Sequence, residues 1–336
     1  MSSWYTQHGK NSDVIITSRI RLARNISGIP FNSRLNAEEQ KQIKERVKSA
    51  ICDSNTPYAK TLKFIDMNDV PENECYAMVE RHIISPEFAQ NRQNKAIIIS
   101  EDESVCVMIG EEDHIRIQVL YSGLELEKAY DIAERIDSFL GDTLHFAFDE
   151  KLGYLTQCPT NLGTGLRASV MLHLPLLEST REISLIADSV SKIGFTVRGM
   201  YGEGTESAAS LYKLSNQITL GISERDALKN LTAITMQIVE KELSLRNSAN
   251  RTLLEDKICR AYGILKNARV ISTKEMMQLT SMIKLGISMG IIDIDSSVPI
   301  RILIECQPHS LMRKCGICDA DERDINRAIT IRNLLE

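Results

Sequence analysis

The chain has 336 residues, 43% hydrophobic and 25% charged, which suits a globular protein of one large domain or two ordinary ones. It has no run of eighteen apolar residues and no signal-peptide pattern, so we expect a cytoplasmic protein without a membrane partner. The net charge of −5 gives no reason to expect nucleic-acid binding.

Residue periodicity predicts strands and helices mixed along the first part of the chain. In chain order we expect a strand at 14–22, a helix at 37–51, strands at 95–100, 104–109 and 113–120, a helix at 125–140, strands at 143–148, 195–198 and 215–220, and a long helix at 223–247. This order lacks a regular βαβ alternation, so it favours an α+β fold with a mainly antiparallel sheet flanked by helices. Beyond 247 the pattern is helical and strand-poor. We therefore predict a catalytic domain at 1–246 and a helical C-terminal domain at 247–336.

Three of the predicted strands carry arginines opposite their apolar residues. Because alternate residues of a strand share a face, Arg19 and Arg21 project together. Arg198 ends another apolar segment. The same spacing predicts one polar face for Glu112, His114, Arg116 and Gln118.

The segment 158–167 (C-P-T-N-L-G-T-G-L-R) combines a thiol, an Asn, two glycines and an arginine. Glycines let a backbone approach a ligand closely, and Arg167 supplies a permanent planar cation. Together with the strand arginines it would form a polycationic cleft, which is costly without an anion. Spacing therefore favours an anion site, with a salt-bridged outer face as the alternative. The sequence has no P-loop, no H-R-D and D-F-G pair and no G-x-G-x-x-G, so arginines would hold any nucleotide phosphates.

Eight cysteines are scattered along the chain, and several lie in apolar runs where a free buried thiol is typical. Cys315 and Cys318 form a single C-x-x-C pair, which is half of a zinc site. We favour a structural or incidental role for the pair over a redox or shared-metal role, and we predict no protein metal site.

Four separated motifs resemble the ATP:guanidino phosphotransferases, the family of arginine and creatine kinases. They are S-R-I-R-L-A-R-N at 18–25, E-E-D-H-I-R at 111–116, the loop 158–167, and R-G-M-Y-G-E at 198–203. Segments at 82–86, 153–156, 167–175 and 215–221 are similar to the bacterial protein-arginine kinases of the McsB type. One departure is Gly110, where many relatives carry Asn.

The resemblance implies a site for each substrate. A substrate arginine is protonated at physiological pH, so a base must take a proton as its nitrogen attacks phosphorus. The family pattern makes Glu112 and Glu203 the carboxylates that grip the guanidinium and Cys158 the thiolate beside it. Of the two carboxylates we expect Glu112 to be the base and Glu203 to orient the guanidinium. Surrounding arginines and a nearby helix start would favour the thiolate. Mg²⁺ would arrive on ATP and keep several waters. The residues implied to bind ATP are Thr17, Ser18, Arg19, Ile20, Arg21, His82, Arg116, Arg167, Ala168, Ser169, Val170, Met171, Arg198, Gly199, Met200, Tyr201, Gly202 and Glu203.

Two features bear on the phosphate acceptor. Small-molecule relatives carry a helical domain before the catalytic domain, whereas here the R-I-R strand begins by residue 18, which favours protein arginine over free arginine. The element R-D-I-N-R-A at 323–328 reads as a solvated helix face by composition alone. It also resembles the phosphoarginine-binding element of McsB-type kinases, which implies an allosteric site. That site would comprise Arg323, Asp324, Arg327 and Ala328.

The resemblance further implies protein substrates, a Clp-type unfoldase, a stress-response repressor and an activator protein as partners. The helical tail is a candidate homodimer element. Two alternatives remain open: a phosphoarginine-binding adaptor with weak catalysis, and a free-arginine kinase.

Overall fold

The computed structural model describes residues 3–200, 207–316 and 318–336. Its strands are β1 (Ile15–Arg24), β2 (Leu62–Asp66), β3 (Ala96–Ser100), β4 (Val105–Ile109), β5 (Ile115–Ser122), β6 (Phe148–Asp149), β7 (Gly153–Tyr154), β8 (Leu166–His173), β9 (Phe195–Gly199) and β10 (Leu211–Asn216). Its helices are α1 (Ala37–Cys52), α2 (Pro57–Thr61), α3 (Glu72–Glu80), α4 (Pro86–Gln90), α5 (Leu126–Leu144), α6 (Pro175–Ser179), α7 (Ile183–Ser191), α8 (Glu224–Ser248), α9 (Arg251–Asn267), α10 (Thr273–Ser288), α11 (Val298–Glu305), α12 (Pro308–Cys315) and α13 (Ala320–Leu334).

Eight strands form one sheet in the order β2-β3-β4-β5-β1-β8-β10-β9, and β6 and β7 form a separate hairpin. Every strand pair is antiparallel, which confirms the predicted α+β class. One face of the sheet, represented by Ile20 and Leu22, packs on α5 residues such as Ile136 and Leu140 in the main hydrophobic core. The alternation of strand side chains therefore turns Arg19 and Arg21 to the opposite face.

The C-terminal helices enclose a second hydrophobic cluster. Ile258 of α9, Ile283 of α10 and Ile302 of α11 meet there, and Ile16 and Leu211 of the large sheet join them. Among the described residues no strand follows Asn216, in line with the predicted helical tail. The boundary after residue 246 stays a prediction. None of the helices in the described ranges combines the length and apolar character needed to cross a membrane.

The predicted strands differ from the observed ones by one or more residues at their ends, and three of the differences have a clear structural cause. The strand expected at 143–148 is wrong except at Phe148, which lies in β6, because α5 continues to Leu144 and buries it one turn after Leu140. The strand expected at 215–220 is β10, which ends at Asn216. There the side-chain amide of Asn216 takes the place of backbone pairing with β8. It accepts a hydrogen bond from the Ala168 N–H at 2.8 Å and donates one to the Leu166 carbonyl at 3.1 Å.

The strand expected at 113–120 begins later, at Ile115, because two side chains at 113–114 are buried in hydrogen bonds. Asp113 accepts from the Asn25 amide at 2.7 Å, and the His114 Nδ1 accepts from the Ile26 N–H at 3.0 Å. The prediction that His114 shares a polar strand face with Glu112 is therefore wrong.

Candidate functional site

Five neighbouring strands each place cations on the face of the sheet turned away from the main core. In sheet order the cations are Arg116 on β5, Arg19 and Arg21 on β1, Arg167 on β8, Lys213 on β10 and Arg198 on β9. A cavity of about 330 Å³ opens among them. Its lining comprises Arg21, Ala23, Glu112, Arg116, Cys158, Thr160, Asn161, Gly165, Arg167, Thr196, Arg198, Lys213 and Ser215.

The strand register sets these cations directly against one another. Arg21 lies opposite Arg167 in the β1–β8 pair, and Lys213 lies opposite Arg198 in the β10–β9 pair. Like charges at directly opposed positions of an antiparallel pair destabilise a sheet. The arrangement is therefore unfavourable for the empty protein and favourable for a bound polyanion.

Within the described residues, Arg19, Arg21 and Arg167 have no carboxylate partner in a salt bridge. Arg19 donates only to the Ser169 hydroxyl at 3.3 Å, and the enclosed Arg21 Nε makes no hydrogen bond in the described part of the chain. Burial, followed by repulsion from Arg116, lowers the pKa of Arg19 to about 10. Burial also lowers the pKa of Arg21, with neighbouring arginines adding to the effect.

Arg116 differs from these three arginines, because two consecutive carboxylates pair with it. It forms a salt bridge with Glu111, and its Nη2 lies 3.4 Å from Glu112 Oε2. The Ser85 hydroxyl donates to Glu111 at 2.7 Å, so this carboxylate is fixed from both sides. The Asn161 amide donates to Glu112 at 3.3 Å. Arg116 and Asn161 together hold Glu112 at the edge of the cavity.

The loop that carries Cys158 is tied down on both sides. The buried Asp113 carboxylate accepts from the Gln157 N–H at 2.7 Å. The Thr219 hydroxyl donates to the carbonyls of Thr160 and Leu162 at 3.1 and 2.7 Å. These ties bring Cys158 to the same cavity as Glu112, with its Sγ 3.1 Å from the Thr160 Oγ1.

The glycines of this loop meet the protein's own backbone. A Cβ on Gly163 would lie 2.2 Å from the Thr219 carbonyl oxygen, and one on Gly165 would lie 2.7 Å from the Ala23 carbonyl oxygen. Both residues have positive φ, at 108° and 62°, where glycine is favoured. The helix start expected beside Cys158 is a single 3₁₀ turn at Pro159–Asn161, and the loop continues into strand β8.

A smaller cavity of about 20 Å³ adjoins the first and gathers many of the residues implied to bind ATP. Its lining comprises Thr17, Arg19, His82, Leu120, Ser169, Met171, Met200 and Lys213. Gln118 positions one wall, because its amide donates to the carbonyls of His82 and Ile83 at 2.9 and 3.0 Å. Burial, followed by repulsion from Arg19, lowers the pKa of His82 to about 4, so its ring is neutral at physiological pH.

Other residues implied to bind ATP do not reach either cavity with their side chains. Ile20, Ala168 and Val170 are fully buried in the main core, so only their backbone faces the cleft side. The Ser18 hydroxyl is also buried and donates to the Gly123 carbonyl at 2.7 Å. Gly199 ends β9. Tyr201, Gly202 and Glu203 lie outside the described residues.

Three residues of the site escaped the sequence prediction. Lys213 was missed because the strand was expected to start at 215, although Leu211, Lys213 and Ser215 alternate with the buried Tyr212 and Leu214. Apart from its presence in the 158–167 loop, nothing in the sequence indicated that Asn161 contacts Glu112. Nothing indicated Asp113 either, because its role depends on contacts across the fold.

The 323–328 element lies on α13 and is more enclosed than a solvated helix face. The buried Arg327 guanidinium donates to the carbonyls of Cys306 and Ile271 at 2.9 and 2.8 Å and pairs with Asp324. Arg323 is half-buried, and its Nε makes no hydrogen bond in the described part of the chain. The solvated-face interpretation is therefore wrong for Arg327, and also for the fully buried Ala328.

Two family models match this chain in succession. The model described as "ATP:guanido phosphotransferase, C-terminal catalytic domain" matches residues 42–245. The model described as "Protein-arginine kinase McsB C-terminal domain" matches residues 251–336. Both of the predicted catalytic carboxylates lie within the first match, and the R-D-I-N-R-A element lies within the second.

Two relatives that match over nearly their whole length are both described as protein-arginine kinases. The chain is 43% identical over 322 residues to a protein-arginine kinase of Caldanaerobacter subterraneus subsp. tengcongensis, covering 95% of this chain and 96% of the relative. It is 41% identical over 341 residues to a protein-arginine kinase of Halalkalibacterium halodurans, covering 100% of this chain and 96% of the relative.

Solved structures of guanidino kinases share the fold. The duplicated taurocyamine kinase from Schistosoma mansoni with bound transition state analog components superposes with a TM-score of 0.64 at 24% identity. That match covers 82% of this chain and 40% of the kinase, so this chain spans about two fifths of the larger protein. A lombricine kinase gives a TM-score of 0.61 at 20% identity and covers 74% of both chains.

Proposed function

Because this chain belongs to the ATP:guanido phosphotransferase family, among its protein-arginine kinases, we propose that it transfers the γ-phosphoryl group of ATP to arginine side chains of proteins. One observation carries the proposal: five adjacent strands direct cations into one cavity that ends at a carboxylate and a thiol. Phosphoryl transfer is mostly positioning and charge neutralisation, and this array is suited to both.

In this proposal the nucleotide lies across the sheet. Its phosphates meet Arg21, Arg116, Arg167 and Arg198 in the larger cavity, and its nucleoside end lies towards Arg19 in the smaller one. Opposed arginines such as Arg21 and Arg167 are preorganised, because the sheet holds them together before any anion arrives. Phosphate oxygens would supply the counter-charge that the described part of the chain does not.

The acceptor guanidinium lies at the end of the cavity formed by Glu112 and Cys158. As a guanidinium nitrogen bonds to the γ-phosphorus, the bond from phosphorus to the bridging oxygen of ADP breaks. The Glu112 carboxylate takes the proton that the attacking nitrogen loses. Cys158 polarises the guanidinium electrostatically, and Glu203 orients it from the segment outside the described residues. ADP leaves with the electron pair of the broken bond.

The nucleotide's metal fits the same arrangement. Among the described residues no group of three or more histidine, cysteine or acidic side chains converges as a cation site. We propose that Mg²⁺ is held by phosphate oxygens and water, since Mg²⁺ commonly keeps several waters in nucleotide sites. It would offset phosphate charge beside the arginines.

A protein acceptor is supported by the surface beside the Cys158 loop. Phe148, Ile218 and Leu220 are large apolar side chains with 59%, 51% and 48% of their surface exposed. Phe148 and Leu220 line one groove of about 410 Å³, and the Thr219 hydrogen bonds join this segment to the loop. Apolar surface next to a reactive site suits a polypeptide better than a free amino acid.

The enzyme assay that tests the function compares two acceptors of label from γ-labelled ATP, a folded protein substrate and free arginine. We expect acid-labile phosphate on arginines of a folded protein substrate and little on free arginine, with Glu112→Gln as the inactive control. Label on free arginine alone would contradict the protein acceptor. Tight binding of a phosphoarginine peptide without transfer to any acceptor would favour the adaptor alternative.

We propose that Arg323 and Asp324 bind phosphoarginine, with Arg327 orienting Asp324 from within the fold. An acid beside arginines matches the cationic and anionic ends of this ligand. Phosphoarginine bound at this site would raise kinase activity, so the reaction product would activate the enzyme. The proposed partners, which are a Clp-type unfoldase, a stress-response repressor and an activator protein, would act through this regulation. The predicted homodimer and cytoplasmic location stay proposals.

Calorimetric titration with phosphoarginine tests this second site. The Arg323→Ala, Asp324→Ala double variant should lose binding, whereas the matched pair Arg260→Ala, Asp256→Ala on the exposed surface of α9 should retain it. Coupling of this kind typically amounts to ~1–3 kcal/mol. Equal binding by all three proteins would rule out the allosteric site while leaving the kinase assay unaffected.

A further inference from the structure

Lys213 lies where the two cavities of the cleft adjoin. It lines the larger cavity with Arg21 and Arg167 and the smaller cavity with Arg19 and His82. Among the described residues, it alone is common to both linings. A phosphate chain that runs from the smaller cavity towards Cys158 would therefore pass close to Lys213.

The described groups that face Lys213 are cationic or neutral. Arg198 lies directly opposite on β9, and the β8 residue opposite is Met171. Arg19 and Arg21 face it from β1, Arg167 from β8, and neutral His82 from the segment after α3. Within the described ranges no carboxylate forms a salt bridge with Lys213. A half-buried amine in these surroundings opposes folding.

We propose that Lys213 is an additional ligand of the nucleotide phosphates, and that nucleotide binding brings a proton onto its amine. The inference rests on the proposed function and deepens it, because it adds a residue and a proton to the binding step. An ammonium that donates to phosphate oxygens is a charge-assisted contact, stronger than one between neutral groups.

The direction of the pH dependence follows from the unliganded site. Burial, followed by repulsion from Arg19 and Arg21, lowers the pKa of Lys213 to about 7. Below this pH the amine is charged before the nucleotide arrives, and binding takes up no proton there. Above it the amine is neutral, and phosphate oxygens raise its pKa so that it takes a proton from solvent. Nucleotide affinity should therefore fall by up to tenfold per pH unit above about 7.

The test is calorimetric titration of ADP at pH 8 in two buffers of different ionisation enthalpy. Wild-type protein should take up close to one proton more than Lys213→Arg, whose side chain stays charged. Both proteins share the nucleotide's own titration, at about pH 6 for a phosphate, so their difference isolates Lys213. Lys213→Gln should weaken ADP binding at pH 6.5 by about 10- to 100-fold. The exposed Lys229→Gln on α8 is the matched control and should behave as wild type.

A stability measurement separates a ligand-binding lysine from a structural one. Because its folded pKa is below its ordinary value, Lys213 destabilises the empty protein most below pH 7 and less as pH rises. Lys213→Gln should therefore raise the melting temperature, more at pH 6.5 than at pH 9. A lower melting temperature with unchanged ADP affinity would overturn the inference. So would equal proton uptake by wild type and Lys213→Arg. Failure of wild-type protein to bind ADP at all would overturn the proposed function as well.

Discussion

Two of the regions that bury cations in this molecule have opposite surroundings. Where α8 meets α10, Arg246 pairs with the fully buried Glu242 at 2.9 Å and donates to the His173 carbonyl at 3.2 Å. Lys284 donates to the Ser12 carbonyl at 2.8 Å. In the cleft, Lys213 faces Arg198 and other cations, with no acid among the described groups around it.

The difference shows what marks a ligand site. Burial lowers the pKa of both lysines, Lys284 to about 8 and Lys213 to about 7, so a shifted pKa does not distinguish the regions. What distinguishes them is the counter-charge: Arg246 has it inside the protein, whereas Arg21 and Arg167 oppose each other without it. A cationic array that the fold leaves uncompensated requires an anion from outside.

The largest expected effect is on the free energy of unfolding, at the buried Arg246–Glu242 pair. Glu242→Gln leaves Arg246 buried without its charge partner and should lower the free energy of unfolding by ~3–5 kcal/mol. Denaturant unfolding measures this. Glu255→Gln removes a solvent-accessible helical i,i+4 pair with Arg251 and should be indistinguishable from wild type. Equal stability of Glu242→Gln and wild type would mean that the buried pair contributes nothing.

Stability should respond in the opposite way when a cation is removed from the cleft. Arg167→Ala removes one of two opposed cations, so we expect unchanged or higher stability with kcat lower by ~10²–10³. Arg167→Lys should restore only part of the activity, because a lysine cannot donate two parallel hydrogen bonds to phosphate. Steady-state kinetics and thermal melts give both values. Complete rescue by lysine would show that only net charge matters at this position.

The carboxylate at the end of the cleft should affect chemistry alone. Glu112→Gln removes the proposed base, and turnover should fall by ~10² or more while ATP binding changes little. Its partners Arg116 and Asn161 can still hydrogen bond to the amide oxygen, so the local fold is retained. Comparing kcat with the nucleotide dissociation constant measures the split. Normal turnover would exclude Glu112 as the base.

The sequence predicted those parts of the molecule that depend on local pattern. Alternation placed Arg19 and Arg21 on one face, and helical spacing identified α1 and α8 to within one or two residues. Motif resemblance selected Glu112 and Cys158, which the fold brings into one cavity. The proposed roles of these residues remain to be tested.

The remainder depends on contacts between distant segments, which no local pattern encodes. Asn216 ends β10 with its side chain, and Asp113 holds the loop before Cys158. Nothing in the local sequence distinguishes either residue from other polar residues, because their roles depend on strands that are distant along the chain. Lys213 belongs to the site because β10 places it opposite Arg198, and this register is not visible in the local sequence.

The smallest expected effect concerns Cys158, at the boundary between the cationic array and the acceptor. Its thiol only polarises the guanidinium in our proposal, so Cys158→Ser should lower kcat by ~10-fold and leave nucleotide binding unchanged. The serine hydroxyl can keep the contact to Thr160, now 3.1 Å from the sulfur, so the loop should not move. Cys259→Ser on the exposed surface of α9 is the control and should retain full activity. Complete loss of activity in Cys158→Ser alone would give the thiol a direct part in the transfer, and the polarising role would have to be abandoned.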